Sequence, residues 1–251
     1  MKLFAWPGAA AYGRTVPKSR IFEHAGANSA LKELFVRDVE QITWAHKLAP
    51  ETINLSATPT VAEIQVFRIA LKSATLDQSV LRTIDRVIPF PLIFELTHDG
   101  RVRMAAAYKR PSEADSHRWV VGNHFESDWL PAGSPRKPLP LALDMAALYE
   151  RLLSPLLGGQ SGTAAAILNI SEAPAAYTAP EVMSVQTRLT LEQRIALTEA
   201  IEAKTREIER IKARLGREKQ FNKRVAINAE LRDARQELER LTRQQAATAQ
   251  H

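Results

Sequence analysis

The sequence has no cysteine. That excludes disulfides, thiolate metal sites and a cysteine nucleophile, and it fits a reducing compartment. Long hydrophobic runs are missing too; no stretch approaches the roughly 20 apolar residues of a membrane-spanning helix. The apolar opening MKLFAWPGAAAYGR is broken at Pro7 and Gly8, too soon for the hydrophobic core of a secretion signal. A cytoplasmic protein without membrane association is the expectation. The phosphate-cradling patterns GxGxxG and GxxxxGKS/T are absent, as is the hydrolase pattern GxSxG. GGQSG at 158–162 follows no strand-like run and reads as a linker. The six histidines, His24, His46, His98, His117, His124 and His251, include no pair at the i, i+4 spacing of a zinc-binding helix. No metal and no cofactor are expected.

What is present is charge, unevenly placed. The formal net charge is +6. Between Arg188 and Arg243 lie 15 Lys or Arg against 10 Asp or Glu, so nearly all the surplus sits there. It is densest over 210–224, where Arg210, Lys212, Arg214, Arg217, Lys219, Lys223 and Arg224 face only Glu218. A basic tip on a near-neutral body suits an acidic partner, phosphate or protein, or else is a solvated helical surface.

The predicted fold class is α+β or α/β, a small mixed-sheet domain followed by an antiparallel coiled-coil hairpin. Residues 1–130 read as the α/β domain. ALKELFVRDVEQI puts Leu31, Leu34, Phe35, Val39 and Ile42 on one helical face. EIQVFRIAL and PLIFEL are nearly continuous apolar runs, as in strands buried on both faces. Between them LDQSVLRTIDRVI has helical spacing, with Asp77 in its first turn. THDG marks a hairpin turn, with RVRMAAAYKR as the returning strand and RWVVGNHFESDW as further β-structure. Residues 131–187 read as a Pro- and Gly-rich connector carrying an amphipathic helix at about 140–157. Residues 188–245 read as the hairpin and 246–251 as a frayed tail.

The hairpin rests on a break in phase. Leu197, Ile201, Ile208, Ile211 and Leu215 form one apolar seam, with Lys204 in the missing position; Ile227, Leu231, Ala234, Leu238 and Leu241 form another. Extending the first by sevens lands on Asn222 and Ala229, two residues off Leu231. One straight coiled coil loses its seam here, whereas a turn near 217–224 lets the arms pack on each other. Gly216 adds a weak helix-breaking signal, Asn222 suits a turn, and Phe221 offers an apolar plug or a stacking face. A stutter in one long helix is the alternative.

Two readings of chemistry follow. Glu63 at the start of EIQVFRIALK is placed like a metal-binding acid of restriction-type nucleases, but the Glu-x-Lys pattern is missing: Ile64 and Gln65 follow, and Lys72 lies roughly 30 Å further along an ideal strand. Asp85, Glu95 and Asp99 are joined to it by no motif, and a Glu63 paired with a nearby cation is the expected outcome. Lys18, Lys47, Lys109 and Arg110 fall beside loop or strand ends and are candidates to line one polar surface with Trp44 and Glu63; otherwise they are unrelated cations around a core tryptophan.

The segments VPKSRIFEH, QITWAHKLAPETINL, EIQVFRIALK, IDRVIPFPLIFEL, AAAYKRP, LPLALDMAALYERLL and EKQFNKRVAINAELRDARQELERL resemble the bacterial domain-of-unknown-function family 4391, over nearly the whole chain. The family has no established catalytic motif to carry over. The resemblance implies a setting beside a Swi/Snf-type helicase and a DNA methyltransferase in restriction-like or phage-defence clusters, with those proteins, and DNA, as partners. A non-catalytic accessory subunit is the expected role, with binding residues Arg214, Arg217, Lys219, Phe221, Lys223 and Arg224 at the tip. A divergent Mg-dependent nuclease effector is the alternative, and a homo-oligomer through the hairpin stays open.

Overall fold

The computed structural model describes residues 2–112, 119–157 and 189–249. The chain divides into two units, Met1–Gly159 and Gln160–His251.

The first unit is built on a seven-stranded mixed sheet. Its strands are β1 (Ala11–Thr15), β2 (Val39–Leu48), β3 (Ile64–Leu71), β4 (Leu92–His98), β5 (Arg101–Pro111), β6 (Trp119–Glu126) and β7 (Leu130–Pro131). They lie in the order β1-β2-β3-β4-β5-β6, with β7 also on β5. Every pairing is antiparallel except β3–β4. A parallel pair needs a crossover, and α4 (Gln78–Val87) supplies it. Asp77 is the N-cap of this helix, its carboxylate accepting the Ser79 N–H at 2.9 Å. The expected hairpin turn is present: Asp99 and Gly100 take φ of 45° and 67°, the left-handed region that Asp-Gly tolerates.

One face of the sheet is covered by α1 (Lys18–Ala25), α2 (Ser29–Asp38) and α4. Alternate residues Phe67, Ile69 and Leu71 of β3 and Leu92, Phe94 and Leu96 of β4 meet Ile21, Phe35, Val80, Leu81 and Ile84 there. The opposite set, Ile64, Val66 and Ile93, is equally buried, so these strands are apolar on both faces. Arg68 and Glu95, which stand side by side in the ladder, are the charged exceptions on that second face.

The helix expected over 30–42 stops at Asp38, and β2 begins at the next residue. Val39 and Ile42 do share a core with Phe35, but not through helical spacing. A register shift between Val39 and Gln41 brings both onto one sheet face and so mimics an i, i+3 step. In the stretch 131–187 the amphipathic helix expected at about 140–157 is present. The short helix α3 (Pro50–Ile53) precedes β3, and α5 (Met145–Leu157) belongs to the first unit, with Leu148, Tyr149, Leu152 and Leu156 buried. The remaining connector, 158–187, lies outside the described residues, as do Arg188, His117 and His251.

The second unit contains α6 (Leu191–Arg217) and α7 (Phe221–Ala249), packed against each other as a hairpin. Thr190 caps α6 by a reciprocal bond with Gln193. The two seams read from the sequence close on one another: Leu197, Ile201, Ile208 and Ile211 cluster with Ile227, Leu231, Ala234 and Leu238, flanked by Leu215 and Leu241. The turn is tight, residues 218–220, and α6 runs through Gly216 before ending. The second arm continues helical to Ala249, into the stretch assigned to a frayed tail. Arg214 and Glu230, 16 residues apart, form an ion pair across the arms. Spin labels at 214 and 230 should therefore couple strongly at short range. A separation near the roughly 24 Å of continuous helix would replace the hairpin by a stutter.

Candidate functional sites

Three charged assemblies are set up by this fold. The first is the hairpin tip. Arg214, Arg217, Lys219, Lys223 and Arg224 are all exposed. Along the shaft most cations are matched: Lys204 with Glu207, Arg206 with Glu202, Lys212 with Glu209, Arg214 with Glu230, Arg240 with Glu237 and Arg243 with Glu239, whereas Arg210 bonds only the Arg206 carbonyl. Arg217, Lys219, Lys223 and Arg224 have no ion pair among the described residues. The one acid of the tip, Glu218, accepts the Gln220 N–H at 2.8 Å. That bond, aided by the Lys219 N–H and the charge of Lys223, holds its carboxyl below the usual range. The acid is thus engaged by the turn, and the four cations face water.

The second assembly is buried between α4 and β5–β6. Lys109, 1% exposed, gives its ammonium to the carbonyls of Asp85 and Ile88 at the end of α4, where unpaired helix carbonyls favour a cation. Its Nζ is 3.5 Å from Asp85 Oδ1, and His124 Nε2 is 2.6 Å from Asp85 Oδ2. Burial pushes the Lys109 ammonium below its ordinary pKa, against the pull of Asp85. The fully buried Tyr149 hydroxyl donates to the Ala107 carbonyl at 2.6 Å and accepts the Lys109 N–H at 3.1 Å. It thereby satisfies backbone groups at the register shift between Ala107 and Lys109. Burial, reinforced by Asp85, raises the phenol well above its ordinary pKa, so it stays protonated.

The third assembly surrounds Glu95 on the second sheet face. This carboxylate is 0% exposed on the interior strand β4. Oε1 accepts from Trp6 Nε1 at 2.8 Å and from Arg136 Nη1 at 2.6 Å; Oε2 accepts from Arg68 Nη2 at 3.1 Å. Arg136 also reaches the Phe4 carbonyl at 2.7 Å, and the Phe4 and Lys137 segments are bridged. Burial, the largest influence on Glu95, raises its pKa, but Arg136, Trp6 and Arg68 together outweigh it and the carboxyl is held below its usual value. Beside it His46, its ring 6.0 Å from that of Trp6, is pushed down by burial, with Arg68 and Arg136 adding to the shift and Glu95 opposing it. Its Nδ1 is buried and has no hydrogen-bond partner among the described residues. Such an orphan costs on the order of 1–3 kcal/mol.

The candidate cations of the first domain do not converge. Lys109 is the core ammonium just described, not a surface group. Lys18 reaches the Val39 carbonyl at the start of β2, and burial lowers its pKa, with Lys72 adding to that and Glu40 opposing it. Lys47 lies at the other end of the same strand, roughly 25 Å away by strand rise. Arg110 stands on β5 opposite Val120. Trp44 stacks on Phe67 with 9° between the rings, in the helix-covered core. Of this set Lys47 and Glu63 meet, at 3.3 Å, and Lys47 is shared with Glu51 at 2.8 Å. Glu63 is thus the cation-paired acid that the sequence favours. Asp85 and Glu95 occupy separate assemblies, and Asp99 is in the turn; among the described residues no group of three His, Asp or Glu is placed to hold a metal ion.

The fold and these assemblies define a mixed-sheet domain with buried ionic centres, joined to a basic-tipped helical hairpin. Residues 4–238 match the family described as Domain of unknown function (DUF4391), and the chain belongs to that family. Comparison with curated proteins and with solved structures gives no match.

Proposed function

We propose that this chain is an accessory subunit, without catalysis of its own, of a bacterial restriction-like or anti-phage defence complex, and that its hairpin tip holds DNA phosphate beside a helicase or DNA methyltransferase partner. The observation that carries the reading is the segregation of charge along the hairpin. Most shaft cations are paired with carboxylates, Arg210 and Arg235 being exceptions, while the consecutive tip cations Arg217, Lys219, Lys223 and Arg224 are all exposed and without ion pairs among the described residues. Solubility alone does not call for that separation, whereas a polyanion does. The helicase and methyltransferase are the partners that the family resemblance implies.

Four such cations neutralising phosphates make affinity for duplex DNA fall about hundredfold between 50 and 200 mM salt. Replacing Lys219, Lys223 and Arg224 by Glu should abolish most of that binding and flatten the salt dependence, with the helical circular dichroism unchanged. If the variant binds DNA normally but no longer co-purifies with the helicase, the tip is a protein-docking surface and the DNA part of the proposal fails. If neither changes, the tip has no binding role. A Mg-dependent cleavage assay on the assembled complex tests the accessory assignment; cleavage that is lost on changing a residue of this chain without loss of assembly would overturn it.

A further inference from the structure

The Glu95 centre has no part in that reading, yet it contains more than a structural tie requires. Arg136 and Trp6 explain themselves: each brings a distant segment onto Glu95, and Arg136 also binds the Phe4 carbonyl. Arg68 adds no such connection. It stands next to Glu95 in a ladder that already joins β3 to β4. It gives Glu95 a single contact, at 3.1 Å, where a guanidinium satisfying a carboxylate prefers two parallel ones. Its side chain is 47% exposed, against 28% for Arg136 and 0% for Glu95. A guanidinium carries five N–H donors, so most of those on Arg68 point away from the carboxylate. Two guanidiniums flank one carboxylate and leave a positive excess on the sheet face that also carries buried Val66 and Ile93. The orphaned Nδ1 of His46 is a further polar atom lacking a partner next to this cluster.

We infer that Arg68 and Arg136, flanking buried Glu95, form a receiving site for a phosphate group, with Arg68 as its direct contact and Glu95 as the positioning residue. The planar fork of arginine matches two oxygens of a tetrahedral oxyanion. Glu95 keeps the guanidiniums from collapsing onto other acids and fixes their separation. The phosphate is either a terminal one, as on a nucleotide, or a diester within a nucleic acid strand.

The test uses the 251-residue chain and inorganic phosphate as the probe. Calorimetric titration should give one saturable site with a Kd of about 1 mM or tighter. The His46 imidazole resonance should move with the same saturation curve, which a purely structural Arg68 does not produce. Arg68→Ala should weaken binding at least tenfold. Arg68→Lys should restore part of it, since charge is kept and the fork is lost. Both variants should keep the wild-type circular dichroism at the titration temperature, because Glu95 retains Arg136 and Trp6 as partners. Competition by adenosine monophosphate but not by an oligothymidylate lacking terminal phosphates assigns the site to terminal phosphate; competition by both assigns it to the diester as well. The inference is wrong if wild-type protein shows no saturable phosphate binding, or if Arg68→Ala binds as tightly as wild type. It also fails if the Lys219, Lys223 and Arg224 charge reversal removes the signal, which then belonged to the hairpin tip. Conversely, normal phosphate binding in that variant leaves this site standing whatever becomes of the tip.

Discussion

Asp85→Ala is expected to destabilise the first unit by about 3–5 kcal/mol, the cost of leaving a buried partner charge uncompensated. Lys109 then keeps backbone carbonyls and no described carboxylate for its ammonium, and His124 loses the carboxylate that its Nε2 meets. All three side chains are almost wholly removed from water, so solvent does not rescue them. For a domain stable by 5–15 kcal/mol, that loss approaches unfolding at ordinary temperature. The double substitution Asp85→Leu with Lys109→Met should be much milder than Asp85→Ala, because it removes both charges at once. The readout is specific to this unit: all four tryptophans, Trp6, Trp44, Trp119 and Trp129, lie in Met1–Gly159 and none in the hairpin. Denaturant titration followed by tryptophan fluorescence therefore reports on the sheet domain alone. If the double variant is as unstable as the single ones added together, the charges are not coupled.

Removing the other buried carboxylate should have a comparable effect with a distinct pH signature. Glu95→Gln keeps the shape of the side chain but replaces an acceptor of two guanidiniums and an indole N–H by a neutral amide. A cost of about 3 kcal/mol at neutral pH is expected, at the low end for a buried pair because both arginines are partly exposed. In the wild type the folded-state pKa of Glu95 is below its ordinary value. Its stabilising contribution is therefore fully present above the ordinary glutamate pKa and is lost as pH falls through the lower folded value. Glu95→Gln has no such proton to take up. The stability difference between wild type and variant should be constant at neutral pH and shrink in acid. A difference that stays unchanged down to acid unfolding would separate Glu95 from the acid sensitivity of the fold.

How much of this was legible in the sequence depends on the range of the interaction. The hairpin was readable because its two seams, Leu197–Leu215 and Ile227–Leu241, carry their own periodicity and their phase break is local. The hairpin turn at Asp99–Gly100 and the buried strands β3 and β4 were readable for the same reason. The helix over 30–42 was misread because a bulge at the start of β2 brings Val39 and Ile42 to one face. Spacing alone does not distinguish that from a helical turn. The ionic centres were missed because their members come from distant segments: Trp6, Arg68, Glu95 and Arg136 in one, Asp85, Lys109, His124 and Tyr149 in the other. One signal was available. Arg68 in IQVFRIAL and Glu95 in LIFEL are single charges of opposite sign inside two runs otherwise fit for burial. Where neither face of a strand is wet, an ionised residue needs a partner, and two such strands in sequence suggest one another.

The contact between Arg136 and the Phe4 carbonyl spans 132 residues of chain. During synthesis, at about 5–20 residues per second, the N-terminal segment leaves the ribosome on the order of ten seconds before its partner segment exists. The helix-covered face of the sheet, made from nearer neighbours, has that interval in which to assemble. The second face closes only when Arg136 arrives, and Glu95 meanwhile awaits its principal cation. The order of translation thus makes the clasp around Glu95 a late event, and the nascent chain carries an open ionic seam until residue 137 is made.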